Sequence, residues 1–217
     1  MKRKELLKLI EEGENLHCEL KLRFSSHEKI AREIIAFANT KGGYLIFGVD
    51  DDKTIVGVQS EKGETELINE TIQRYCEPPI KINIEYIELF GKEIVVVEIL
   101  ESDIKPHRLQ DYSDFNINEA NVFIRVNDKS MLASKEMIRI LRSNSGNTEL
   151  KKYVIGTNEK IVFDYLDKNE TINVKQLSHL ANISERRASR TLVKLVRANL
   201  LLIHVKDSGE EYFTYAG

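Results

Sequence analysis

Residues 36–49, Ala-Phe-Ala-Asn-Thr-Lys-Gly-Gly-Tyr-Leu-Ile-Phe-Gly-Val, run directly into Asp50-Asp51-Asp52. This block constrains the fold more than any other stretch. Ala31, Ile34, Ile35 and Ala38 recur at helical spacing, so the segment before it reads as an amphipathic helix. Asn39 and Thr40 break the pattern. Gly42-Gly43 supply the positive φ with which a chain leaves a helix and re-enters as a strand. Tyr44 to Val49 is almost continuously apolar, the pattern of a strand buried on both faces. The aspartates then read as a hairpin turn.

The surroundings supply more elements of both kinds. Leu6, Leu7 and Ile10 form a helical face that stops at Gly13. From Leu16 to Leu22 the chain alternates, with Leu16, Cys18, Leu20 and Leu22 on one face and His17, Glu19, Lys21 and Arg23 on the other. Ser25 or Ser26 caps the next helix. Thr54 to Val58 is expected to return as a strand, and Glu64 to Tyr75 as a helix ended by Pro78-Pro79. Ile80 to Leu89 and Glu93 to Leu100 read as two strands joined at Phe90-Gly91-Lys92. Residues 101–120 look polar and irregular, with Pro106-His107-Arg108 read as an exposed loop or a ligand-binding cluster. Asn121 to Val126 forms one more strand, and Ser134 caps a closing helix through Arg142. Helices and hairpins in this order predict an α+β fold with a mixed β-sheet and flanking helices.

Ser143-Asn144-Ser145-Gly146-Asn147-Thr148 reads as a linker. The expected organisation is a first domain at 1–142, a linker at 143–152 and a small second domain at 153–217. Asn158 to Asp167, Val174 to Ala181 and Ser184 to Ala198 read as three helices. Leu200 to Val205 and Glu211 to Tyr215 form a terminal hairpin turning at Lys206 to Gly209. This module resembles the winged helix-turn-helix family. On its third helix Ala188, Leu192, Leu195 and Val196 point inward, leaving Arg186, Arg187, Arg190 and Lys194 outside. Arginines there can reach guanine edges in a major groove, with Lys206 of the wing near phosphate. The other reading is a solvated helix face in a protein-contact domain. Paired half-sites make a homodimer the expected DNA-binding form.

The charge balance agrees in direction. Residues 151–217 carry 11 Lys and Arg against 8 Asp and Glu, whereas residues 1–150 carry 21 against 27. The second piece suits a polyanion; the first is no basic platform. No run of 18 apolar residues suggests a membrane span. The two cysteines, Cys18 and Cys76, lack metal-ligand spacing and read as core residues of a cytoplasmic protein.

Glu19-Leu-Lys21, then Ala36 to Asp50, Ile55-Val-Gly57, and Val122-Phe-Ile-Arg-Val-Asn-Asp-Lys-Ser-Met-Leu-Ala-Ser134 together resemble the Schlafen AlbA_2 domain across residues 12–142. The resemblance implies one of two activities. Bacterial members fused to a helix-turn-helix imply a DNA-binding transcriptional regulator. Animal members imply a metal-dependent endoribonuclease acting on structured RNA through three carboxylates. Its pattern falls on Glu14, Glu19 and Asp50, with Lys21 supporting them and Mg²⁺ or Mn²⁺ as the cation. Carboxylates around such a cation can activate water and stabilise a leaving oxygen. The same residues also read as a solvated turn, an exposed edge-strand ion pair and an ordinary hairpin. ATP, a label many family members carry, is not expected as a cofactor. No G-x-x-x-x-G-K-[ST] loop occurs, and Gly42-Gly43 stands at a helix C-terminus, where the dipole repels phosphate.

Overall fold

The computed structural model describes residues 1–110, 120–145 and 155–216. It divides into two compact units, Met1–Ala133 and Ser134–Gly217. The first contains α1 (Arg3–Glu12), β1 (Cys18–Lys21), α2 (His27–Asn39), β2 (Gly43–Phe47), α3 (Glu61–Tyr75), β3 (Cys76–Glu77), β4 (Ile82–Leu89), β5 (Lys92–Ile99), β6 (Arg108–Leu109), β7 (Phe123–Val126) and β8 (Lys129–Leu132). The second contains α4 (Lys135–Ser145), α5 (Thr157–Leu166), α6 (Val174–Ala181), α7 (Glu185–Arg197), β9 (Leu201–Val205) and β10 (Glu211–Tyr215).

The first unit is built on a four-stranded mixed sheet in the order β1-β2-β5-β4, with β1 and β2 parallel and the other pairs antiparallel. Alternation sends Leu45, Phe47, Val95 and Val97 to one face, where Ile30, Ile34 and Ile35 of α2 and Ile68 of α3 cover them. Ile46, Ile94, Val96, Cys18 and Leu20 go to the other face, under Leu6 and Ile10 of α1. Both faces of the central strands are therefore covered, as the apolar run of β2 requires.

Cys18 and Cys76 are core residues, and burial pushes both thiols up to about 12. Thr54 to Val58 forms no strand: only the Val49–Ile55 bridge pairs, because Val56 and Gly57 both donate to the Gly48 carbonyl and curl the segment. The two-residue pair β3–β6 and strand β8 lie in segments whose polar residues hide them from periodicity. Of the irregular stretch 101–120, residues 111–119 lie outside the described residues, as do 146–154 of the linker and the start of the second domain.

In the second unit, α5, α6 and α7 enclose Val162, Leu166, Leu177, Leu192 and Leu195. Phe213 of the antiparallel β9–β10 hairpin closes this core. Ser184 caps α7 through the Arg187 amide, and Asn182 ends α6 in the left-handed conformation. Helix α4, which the linker pattern assigns to the first domain, belongs to this unit. Its Glu136 accepts from Ser189 of α7, and Ser189 in turn accepts from Arg139 at 3.1 Å. No helix among the described residues is long and apolar enough to cross a membrane.

Candidate functional site

Thr40 and Asn39, at the end of α2, organise the polar centre of the first unit. Asn39 is buried and donates to the carbonyls of His107 (2.8 Å) and Phe123 (2.9 Å), while its own oxygen accepts the His107 amide at 2.8 Å. The Thr40 hydroxyl donates to Ala36 O at 2.8 Å and accepts the Arg125 amide at 2.9 Å. The helix end thus fastens β7 beside α2. Gly42 must follow, since φ is +69° and a Cβ there would stand 2.6 Å from Ile99 O.

Fixed in this way, the Arg125 side chain lies wholly out of solvent, 4.6 Å above the Phe37 ring. Its Nη1 donates to Glu19 (2.8 Å), Glu33 (3.0 Å) and Ser130 (3.2 Å), and its Nη2 to the Asn15 carbonyl (2.7 Å). Ser130 also donates to Glu33. Burial and the Glu19 charge raise the Glu33 carboxyl above its ordinary range, against the pull of Ser130 and Arg125. Lys21 pairs with Glu19 and lies 3.8 Å from Glu14, whose carboxylate accepts the Leu20 amide at 3.2 Å. Glu14 is raised as well, by burial and by Glu19.

Glu14, Glu19 and Lys21 therefore come together. Glu19 is no exposed edge-strand partner: β7 and α2 cover its face of β1, and Arg125 makes that burial tolerable. Asp50 does not join them. Its carboxylate accepts the Asp51 amide at 2.9 Å inside its own turn. Nor does any group of three His, Cys, Asp or Glu side chains there have an arrangement suited to a metal. As folded, this donor set does not fit a divalent cation, since Arg125 and Lys21 already occupy Glu19. The partners that sequence reasoning missed are Glu33, Ser130 and the role of Arg125. An arginine inside the apolar run Phe-Ile-Arg-Val signals buried carboxylates somewhere, without saying which.

His107 and Arg108 are buried, not an exposed loop. The Pro78 carbonyl accepts from His107 Nδ1 at 2.7 Å, so Nε2 accepts the Ser102 hydroxyl at 2.7 Å. Burial lowers the histidine pKa and keeps it neutral. Arg108 pairs with Glu77.

In the second unit Arg186, Arg187, Arg190 and Lys194 are all exposed on α7. Arg186, Arg187 and Arg190 form no ion pair among the described residues. Lys206 is less available: Glu210 holds it at 2.7 Å, and its Nζ lies 5.8 Å from the centre of the Tyr212 ring.

A family model for the Schlafen AlbA_2 domain matches residues 14–134. Among solved structures, the chain is similar to the N-terminal domain of a RecG-related protein from Nitrosomonas europaea. Identity is 24%, the match covers 50% of this chain and 80% of that one, and the TM-score is 0.40. It is also similar to the DIP2311 protein from Corynebacterium diphtheriae, at 14% identity and a TM-score of 0.47. That match covers 93% of this chain but only 34% of the other. With a family match spanning more than half its length, from the turn holding Glu14 to the cap at Ser134, the chain belongs to the Schlafen AlbA_2 family.

Proposed function

We propose that the protein binds nucleic acid and acts as a dimeric DNA-binding transcriptional regulator, with its second unit a winged helix-turn-helix. One observation carries this reading: α7 exposes Arg186, Arg187 and Arg190 without acidic partners among the described residues, beside the exposed Lys194. Such a face attracts phosphate and can place guanidinium groups against base edges. In this reading the hairpin β9–β10 serves as the wing, and Lys206 must be released from Glu210 to reach phosphate. Full-length Arg187→Glu and Arg190→Glu variants should each lose duplex affinity by tenfold or more, on the order expected for a lost base or phosphate contact. Unchanged affinity and an unchanged salt slope in both would reject the assignment.

The second reading, an endoribonuclease, draws support from the Glu14–Lys21–Glu19 grouping. It requires Asp50 to leave its turn and Glu19 to exchange a cationic side chain for Mg²⁺ or Mn²⁺. Transfer RNA incubated with the protein and Mn²⁺ separates the two readings. Cleavage that Glu19→Ala and Asp50→Ala abolish would favour the enzyme.

A further inference from the structure

Helices α4 and α7 of the second unit border an open groove of about 540 Å³. Arg139 and Arg142 line it from α4, and Arg190, Val193, Lys194 and Arg197 line it from α7. Five of these six side chains are cationic. Within the two helices Glu136 pairs with Arg139 at 3.6 Å and accepts from Ser189, and Glu159 of α5 lines the neighbouring groove that Arg190 and Lys194 share. Arg142 and Arg190 are exposed and form no ion pair among the described residues. The Nε of Arg197 is buried without a hydrogen-bond partner there. Arg142, Lys194 and Arg197 stand in the last turns of their helices, where the macrodipole favours a cation. Arg139 and Arg190 lie a turn earlier, so the dipole does not account for the cluster. Like charges gathered around one opening repel one another, and an anion with several charges removes that cost.

We propose that this groove is a phosphate-binding site for the backbone of duplex DNA, so that α4 extends the interface of α7. The proposal rests on the reading of α7 as a DNA-binding helix. Arg190 and Lys194 belong to both surfaces: they also line a neighbouring groove of about 420 Å³ with Arg187, Asn158 and one carboxylate, Glu159. A duplex seated on α7 therefore meets two grooves whose shared cations, Arg190 and Lys194, lead toward Arg142. The contribution of α4 is electrostatic and blind to sequence, because no base edge need be reached from it.

The test is duplex binding by the full chain across a series of salt concentrations, with Arg142→Gln, Arg142→Lys and Arg187→Gln compared. Arg142→Gln should weaken binding by about tenfold and reduce the steepness of log K against log salt by about 1, equally for every duplex sequence. Arg142→Lys should retain most of the affinity, because it keeps the charge. Loss in Arg187→Gln with no change in Arg142→Gln overturns the groove and leaves the α7 reading intact. No change in either variant overturns both. Titration of inorganic tripolyphosphate without DNA is the remaining arm. Saturable binding that Arg142→Gln abolishes, with duplex affinity unaltered, assigns the groove to a free polyphosphate and also overturns the proposal.

Discussion

The amide of Arg125 donates to the hydroxyl of Thr40 at 2.9 Å, across 85 residues of chain. That one bond sets where the guanidinium lies, and the guanidinium in turn decides which carboxylates can be buried. Removing Arg125 leaves Glu19 as a buried charge with Lys21 alone to answer it. Arg125→Met should therefore destabilise the first unit by about 3 to 5 kcal/mol. Combining it with Glu19→Met should recover about 2 kcal/mol of the summed single effects. Native-state hydrogen exchange on β2 and β5 peptides of the full chain measures both. Strict additivity would mean that the two side chains do not depend on each other.

Asn39 makes three hydrogen bonds to backbone groups that meet no water. Asn39→Ala should cost about 3 kcal/mol, because buried donors and acceptors lose partners. Asn39→Asp should cost at least as much. It keeps the shape but sets a carboxylate against the carbonyls of His107 and Phe123. An Asp variant as stable as the parent at neutral pH would contradict the donor role.

At Gly42 a methyl group meets backbone, not a side chain that can swing away. The left-handed conformation adds its own cost for any residue with a Cβ. Gly42→Ala should lower stability by about 3 kcal/mol and expose the α2–β2 connection to exchange. A loss below about 1 kcal/mol would show that the Ile99–Glu101 backbone yields easily.

Glu211 in the second unit accepts from Ser134, the cap of α4. Burial, aided by the Glu136 charge, raises its carboxyl to about 7 from an ordinary 4.5. The folded chain thus holds a proton that the unfolded chain releases between those values. Stability of this unit should fall as pH rises from about 4.5 to 7 and level off above, by roughly 1 to 3 kcal/mol in all. Glu211→Gln should abolish the slope and gain stability at pH 8. Thermal melts of both proteins across the range decide the matter, and parallel profiles would exclude Glu211 as the source.

Local periodicity reveals β2, α2, α6 and the β4–β5 hairpin, because each buries a continuous face of its own residues. It misses β3, β6 and β8, which are two to four residues long and exist through their partners. Alternation in β1 correctly sends Cys18 and Leu20 to the core but labels Glu19 as solvent-facing. Nothing near Glu19 in the sequence announces the arginine that covers it. Helix α4 is misassigned for a similar reason. Its apolar spacing is plain, but its partner Ser189 lies 53 residues beyond Glu136. Arg142 therefore could not be connected with the α7 arginines from spacing alone.

The span between Thr40 and Arg125 also has a consequence for the order in which the chain is made. At about 5 to 20 residues per second, Arg125 leaves the synthesis machinery roughly 4 to 17 seconds after Thr40. Throughout that interval Glu19 and Glu33 have no guanidinium between them, and their mutual repulsion opposes closure of β1 against α2. Local helices and the β4–β5 hairpin can form meanwhile, but this polar centre waits. The first unit is thus locked by its late-arriving strand, and a ribosome stalled before residue 125 would carry an unlatched sheet.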